Sequence, residues 1–268
     1  MKYKLFISDY DGTLALGNSI DEQTCAAVEK FIAKGGVFVV CSGRETSSIM
    51  RILRQHKFKG LVASFQGARI NDVETGESIL DGGLSKETAL EALNAVKDSG
   101  LTPISYGESE VFAQEDNPFV KSYVNAVRLD VVYTDIKERI KKQKENVFKI
   151  CWLGDNDVVI DVEKRLNAKY NGKGIKFNSG AKCLLEAINP DCGKGQAVRF
   201  LSKYYDIPFE EIIAVGDSTN DIDLISGPWH GVAVGSGRDE LKAVADEITV
   251  PIEQKPVKYL LEKYCLND

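Results

Sequence analysis

Val37-Phe38-Val39-Val40-Cys41 is apolar at every position. A strand with no polar side must be covered on both faces, as is a central strand of a parallel sheet. The segment before it, Asp21 to Lys34, carries apolar residues at helical spacing, Ala26, Ala27, Phe31 and Ile32 among them, and Gly35-Gly36 stops it. Lys4 to Ser8 reads as another short buried strand, and Glu45 to Gln55 as a second helix. Strand, helix, strand, helix predicts an α/β fold with a doubly wound parallel sheet.

The same alternation returns towards the C-terminus. Helices are expected over Gly195 to Tyr205, Asp221 to Leu224 and Asp239 to Ala245, with strands at Ile212 to Val215 and Val232 to Val234. Residues 1–82 and 188–268 are therefore expected to build one core, interrupted by an inserted α+β domain over 83–187. In the insert, helices are expected over Lys86 to Lys97, Phe119 to Val127 and Val158 to Tyr170. Its strands are expected at Thr102 to Ser105, Val111 to Gln114, Phe148 to Leu153, Ile175 to Phe177 and Cys183 to Ile188. Connections of that length are uncommon unless they carry function, and a lid over the carboxyl ends of the strands is the expected role.

Charge narrows the class of partner. A net charge of -6 and a pI near 5.2 argue against nucleic acid, which is held by clustered Lys and Arg. The basic run Lys137, Arg139, Lys141, Lys142 and Lys144 is interrupted by Glu138 and Glu145 and reads as a solvated helix face. The six cysteines are scattered without a CxxC pair, which suits a reducing cytoplasm, and neither a signal segment nor a membrane span is expected. A small-molecule partner and a monomer or weak dimer are the expectation.

Asp9-Tyr10-Asp11-Gly12-Thr13-Leu14 stands at the end of the first strand. Alternation along an extended segment would put Asp9 and Asp11 on one side, and Gly12 lets the chain turn sharply. Two carboxylates so close call for a cation, a shared proton or both. Magnesium suits them, since it takes one or two carboxylates, several waters and a phosphate oxygen. An Asp-Gly turn is also common in any loop, so other strand ends must add weight. Gly216-Asp217-Ser218-Thr219-Asn220-Asp221 does so, placing Asp217 where another strand ends and Asp221 four residues on. Cys41-Ser42-Gly43-Arg44 follows a third strand, with a hydroxyl and a close-approach glycine suited to a phosphate oxygen. Lys194, between Gly193 and Gly195, opens a helix where the dipole disfavours a cation, so its charge is expected to neutralise phosphate and a carboxylate.

In this order the four motifs resemble those of the haloacid dehalogenase superfamily, over nearly the whole chain. Within it the chain is similar to the Cof-type branch, with a type IIB cap inserted between the Ser42 and Lys194 motifs. The resemblance implies a magnesium-dependent phosphatase that passes through an aspartyl-phosphate. It makes Asp9 the nucleophile, Asp11 the general acid and base, and Ser42, Gly43, Arg44 and Lys194 the phosphate-binding group, with Asn220 in support. It makes Asp9, Asp11 (through its backbone carbonyl), Asp217 and Asp221 (through the water shell) the magnesium site. A sugar phosphate is the implied substrate, ahead of pyridoxal phosphate or a nucleotide. A phosphomutase would use the same motifs, and a catalytically silent binding protein the same fold.

The chain departs from that branch at Ser64-Phe65-Gln66-Gly67-Ala68 and at Gly235-Ser236-Gly237, neither of which is expected to touch the four motifs. In the insert, Tyr106, Glu108, Glu110, Phe112 and Asn117 could face substrate or solvent. His56 and His230 read as surface or packing residues.

Overall fold

The computed structural model describes residues 1–17, 19–107, 111–127, 130–143, 146–170 and 172–267. Glu108, Glu110, Lys144 and Glu145 lie outside the described residues. The chain opens with β1 (Leu5–Asp9), α1 (Glu22–Ala33), β2 (Val37–Cys41), α2 (Thr46–Gln55), β3 (Leu61–Ser64), β4 (Arg69–Asp72) and β5 (Ser78–Asp81). The two helices begin just inside their expected first residues because those residues are their caps. Asp21 accepts the N–H groups of Gln23 and Thr24, and Glu45 those of Ser47 and Ser48.

Next come α3 (Lys86–Val96), β6 (Thr102–Tyr106), β7 (Val111–Ala113), α4 (Pro118–Val127), β8 (Val131–Tyr133), α5 (Ile136–Lys142), β9 (Lys149–Leu153), α6 (Asn156–Tyr170), β10 (Lys176–Ala181) and β11 (Leu184–Ile188). The last part holds α7 (Lys194–Tyr205), β12 (Ile212–Gly216), α8 (Ile222–Ile225), β13 (His230–Ala233), α9 (Asp239–Lys242), β14 (Glu247–Ile248) and α10 (Pro256–Leu261). By their contacts, Met1–Leu80 and Gly193–Asp268 form one unit and Asp81–Cys192 another. No described helix is long and apolar enough to cross a membrane.

In the first unit the strand order is β14-β13-β12-β1-β2-β3-β4-β5. The pairs from β14 to β3 are parallel and β3–β4 is antiparallel. Because the strands alternate, Phe6, Phe38, Val40, Ile213 and Val215 face one layer with Phe31, Ile49, Leu53 and Leu260. Leu5, Ile7, Val39, Cys41, Ile212 and Ala214 face the other, with Val198, Leu201 and Leu224. Both faces are buried, which is why β1, β2 and β12 are apolar almost throughout.

Residues 61–81 carry no expected element but hold three strands. β3 is a four-residue run between Gly60 and a turn, too short to show a period, and β4 folds back on it as a hairpin at the sheet's side. The C-terminal α10 and the wider helical turn Glu262–Leu266 after it likewise lie where no element is expected; they cover the sheet through Leu260, Leu261 and Cys265.

The second unit has a sheet of order β10-β11-β9-β6-β7-β8, antiparallel except for β7–β8. One face, with Phe112, Ile150, Trp152, Leu185 and Ala187, packs on Ala89, Leu93, Ile136, Ile140, Val159 and Val162. The other carries a polar set: Lys149 Nζ is 2.8 Å from Glu186 Oε1 and 4.8 Å from the Tyr106 ring centre, and the Tyr106 and Tyr123 hydroxyls are 2.5 Å apart. Phe112 is thus a core residue, and Asn117 is a structural one. Asn117 accepts the N–H of Val120 at the start of α4 and donates to Thr102 Oγ1 at 2.6 Å.

Phe38 is fully buried, with the Phe6 ring 5.3 Å away and the Phe58 ring 5.4 Å away. Phe38→Ala is expected to destabilise the first unit by about 3–5 kcal/mol, read from a shifted urea midpoint at unchanged slope.

Candidate active site

β12, β1 and β2 lie side by side and parallel, with Ser8 opposite Val215 and Asp9 opposite Cys41. Their carboxyl ends therefore deliver the loops carrying Asp11, Ser42 and Asp217 to one edge of the sheet, where ligands of such sheets bind. Close backbone approaches hold these loops together. Gly12 has φ +83°, and a Cβ there would stand 2.6 Å from Asp217 Oδ2. Thr13 Oγ1 donates to Asp217 Oδ1 at 3.2 Å.

Lys194 is the first residue of α7, behind Gly193, which offers no side-chain cap. The missing cap comes from another helix. Asp223 Oδ2 accepts the N–H of Gly195 at 3.0 Å, setting a carboxylate where the helix dipole favours one. A Cβ on Gly195 would stand 2.3 Å from the Asp223 carbonyl oxygen, so glycine there reflects the close passage of α8. Lys194 runs inward, 1% exposed, and its Nζ is 2.5 Å from both Asp9 Oδ1 and Asp221 Oδ1. Asp221 Oδ2 accepts the N–H groups of Asp217 and Ser218, each at 3.1 Å.

Burial pushes Asp9 up to about 7, with the Asp221 and Asp217 charges adding to the rise and Lys194 opposing it. Burial works against the charge on Lys194, but Asp9 and Asp221 more than offset it, and its pKa is raised. Asp217 is raised by burial and then by Asp221. Burial also raises the thiol of Cys41, keeping it protonated beside Asp9. One oxygen each of Asp9, Asp217 and Asp221 lies within 4.8 Å of the others. Three carboxylates against one lysine charge, all oxygen donors, are a set that fits a hard divalent cation.

The structure brings Asp9, Lys194, Asp217 and Asp221 together. The Asp11 carboxylate does not converge on that point, contrary to the alternation argument. β1 ends at Asp9, so the alternation does not extend to Asp11. The Asp11 side chain, 51% exposed, is held by Arg44 Nε at 2.9 Å and Nη2 at 2.5 Å. Arg44 also lies over the Tyr10 ring at 5.0 Å. Ser42 is buried, with its Oγ accepting the Arg44 N–H at 3.2 Å, while Gly43 and Asn220 are exposed. His56 Nε2 meets the Ile20 N–H at 3.5 Å, and His230 stacks on Tyr3 and bonds Glu247 at 3.1 Å.

Both departures noted in the sequence do touch the motifs. The Arg238 N–H donates to Asp217 O at 2.8 Å, and a Cβ on Gly237 would stand 2.7 Å from that same oxygen. A Cβ on Gly43 would stand 2.6 Å from Gln66 Nε2, and one on Gly67 would stand 2.6 Å from the Gly193 carbonyl oxygen. Gly237, Arg238 and Asp223 act through backbone approaches between segments far apart in sequence, which no local pattern reveals.

A family model described as haloacid dehalogenase-like hydrolase matches residues 6–261. The chain is 26% identical to a 5-amino-6-(5-phospho-D-ribitylamino)uracil phosphatase of Bacillus subtilis, covering 97% of each chain. It is 23% identical to the HMP-PP phosphatase of Klebsiella pneumoniae, over 92% of this chain and 89% of that one. Among solved structures, it resembles a haloacid dehalogenase-like hydrolase from Bacteroides thetaiotaomicron with a TM-score of 0.82 and 25% identity, over 98% of this chain and 99% of that one.

Lys194→Met would leave Asp9 and Asp221 buried without their cation. A loss of about 3–5 kcal/mol is expected near neutral pH, measured by chemical unfolding of the metal-free protein.

Proposed function

This chain belongs to the haloacid dehalogenase-like hydrolases and is a phosphatase of that family, and from that premise we propose that it hydrolyses a small phosphorylated metabolite with magnesium, using Asp9 as nucleophile. The observation that carries this reading is the placement of Lys194, 2.5 Å from both Asp9 and Asp221, which with Asp217 bring their oxygens within 4.8 Å of one another. Phosphoryl transfer asks little of a protein beyond alignment and charge neutralisation, and this cluster supplies both.

Asp9, Asp217 and Asp221 would hold the magnesium ion. Asp221, whose two oxygens are already bonded to Lys194 and to two backbone N–H groups, would support the ion from further out. When bound, the ion would neutralise phosphate oxygens and the carboxylates around them. Lys194 fixes Asp9 by Oδ1 and leaves Oδ2 to attack. That oxygen forms a bond to phosphorus while the ester P–O bond breaks, and the departing alkoxide takes the proton that Asp11 picks up from water on leaving its ion pair with Arg44. Water then attacks the phosphorus of the aspartyl-phosphate, giving its proton to Asp11 and restoring Asp9 as phosphate leaves. Asp11 reaches the leaving oxygen by turning out of the Arg44 fork, a movement its exposure permits. Ser42, the Gly43 backbone and Arg44 line the phosphate side.

One relative supports a substrate class. The Bacillus protein's name describes a phosphoribityl compound, so a sugar or polyol phosphate is the proposed class here. The second unit is the proposed source of substrate selection. The six free cysteines suit a reducing cytoplasm.

Asp9→Asn is expected to lower turnover of a phosphate monoester by about a thousandfold or more with unchanged circular dichroism, and retained turnover would remove Asp9 from the nucleophile's role. Chelation is expected to stop phosphate release and magnesium to restore it. Magnesium should also raise the Tm of the chelated protein, by less at pH 6 than at pH 8. Asp9, pushed up to about 7, must lose its proton to face the cation. Full activity in chelator would contradict the carboxylate site.

A further inference from the structure

The turn after β3 is the one described stretch in which three consecutive residues have positive φ. Phe65, Gln66 and Gly67 follow one another with φ of +49°, +59° and +90°, and two of the three carry side chains. Left-handed backbone at non-glycine residues is costly, and it persists where surrounding structure enforces it. Here the enforcement comes from the phosphate-side loop. The Phe65 N–H donates to Arg44 O and the Gln66 N–H to Ser42 O, each at 2.9 Å. On its other side the turn meets Gly193, next to Lys194, backbone to backbone.

The strain holds the Gln66 side chain over Gly43, with Nε2 2.6 Å from where a Cβ on Gly43 would sit. Despite that fixed position the carboxamide's Oε1 is shut away from solvent without a donor among the described residues. A buried acceptor left without a partner is unfavourable, and native structures keep few of them. Strain and an unmet hydrogen-bonding group at one residue, wedged between two of the site's loops, are the pattern of a group held ready for a ligand.

Resting on the phosphatase reading above, we propose that Gln66 is a substrate-contacting residue whose carboxamide hydrogen-bonds a hydroxyl of the sugar or polyol esterified to the phosphate. The chemistry favours the hydroxyl-bearing part over the phosphate itself. A carboxamide is neutral and can both donate and accept, as a hydroxyl does, whereas Lys194 and Arg44 already bring positive charge for the anion. Rotation about the terminal torsion of Gln is soft, so the carboxamide turns to meet whichever end of the hydroxyl it is offered. A site built to bond a hydroxyl discriminates strongly against a ligand lacking it.

The test compares phenyl phosphate with the fastest of ribitol phosphate, ribose phosphate and glucose phosphate. Gln66→Met keeps the side chain's length and removes both hydrogen-bonding ends. It is expected to lower kcat/KM for the hydroxylated ester about tenfold more than for phenyl phosphate. Gln66→Gly, which suits the left-handed backbone, is expected to show the same selective loss with a Tm no lower than the parent's. Equal losses on both esters, an equal weakening of inhibition by inorganic phosphate, or no loss at all would overturn the proposal. A parent protein inert towards every ester would instead refute the phosphatase reading, and this proposal with it.

Discussion

One lysine ammonium buried between two carboxylates is the interaction on which the first unit depends. Charges taken out of water are tolerated only when each meets an opposite charge at short range and its remaining donors or acceptors are also bonded. Lys194 meets that condition through Asp9 and Asp221, and Asp221 completes it with two backbone N–H groups. The cluster remains short of positive charge, which is why burial leaves Asp9 close to neutral pH instead of in the ordinary carboxylate range. The same shortage that weakens the cluster as a structural element makes it receptive to a cation and to the chemistry that a cation supports.

Geometry of that quality needs rigid support, and the support is close approach at glycines, to the Asp217 carboxylate at Gly12 and to backbone carbonyls at the others. Gly12 and Gly237 bring their loops against Asp217, Gly67 lies against Gly193, and Gly195 lies against Asp223. At each place a methyl group would force segments apart by a large part of an ångström. The glycines thus set the distance between loops, while the parallel strands set their direction. Positioning of this kind counts heavily in phosphoryl transfer, where displacement of about 1 Å can cost about a hundredfold in rate.

Much of this was legible in the residues. The apolar run 37–41 forms a strand over those same residues because burial on both faces leaves no other reading. Asp9, Asp217 and Lys194 stood out because acidic residues after apolar strands and a lysine at a helix start run against local preference. What could not be read was non-local. β3, β4 and β5 are four-residue strands whose partners define them, and the convergence of Asp11 failed because the strand stops two residues before it. Asp223 looks like any helical aspartate until α7 is placed beside it, and Gln66 becomes conspicuous only when its φ and its unpartnered Oε1 are known.

The central position of β1 also bears on how the chain comes into being. β1 pairs with β2 within a few dozen residues, but its other neighbour is β12, with Leu5 opposite Ile212. On a ribosome adding roughly 5–20 residues per second, the strand that carries Asp9 would wait some ten seconds or more for that partner. For that interval one side of β1 is unpaired, while the intervening Asp81–Cys192 unit has a separate core to build. Premature arrest of synthesis anywhere between β11 and β12 would therefore leave a folded insert tethered to an adhesive, incomplete sheet, which is a natural target for chaperones.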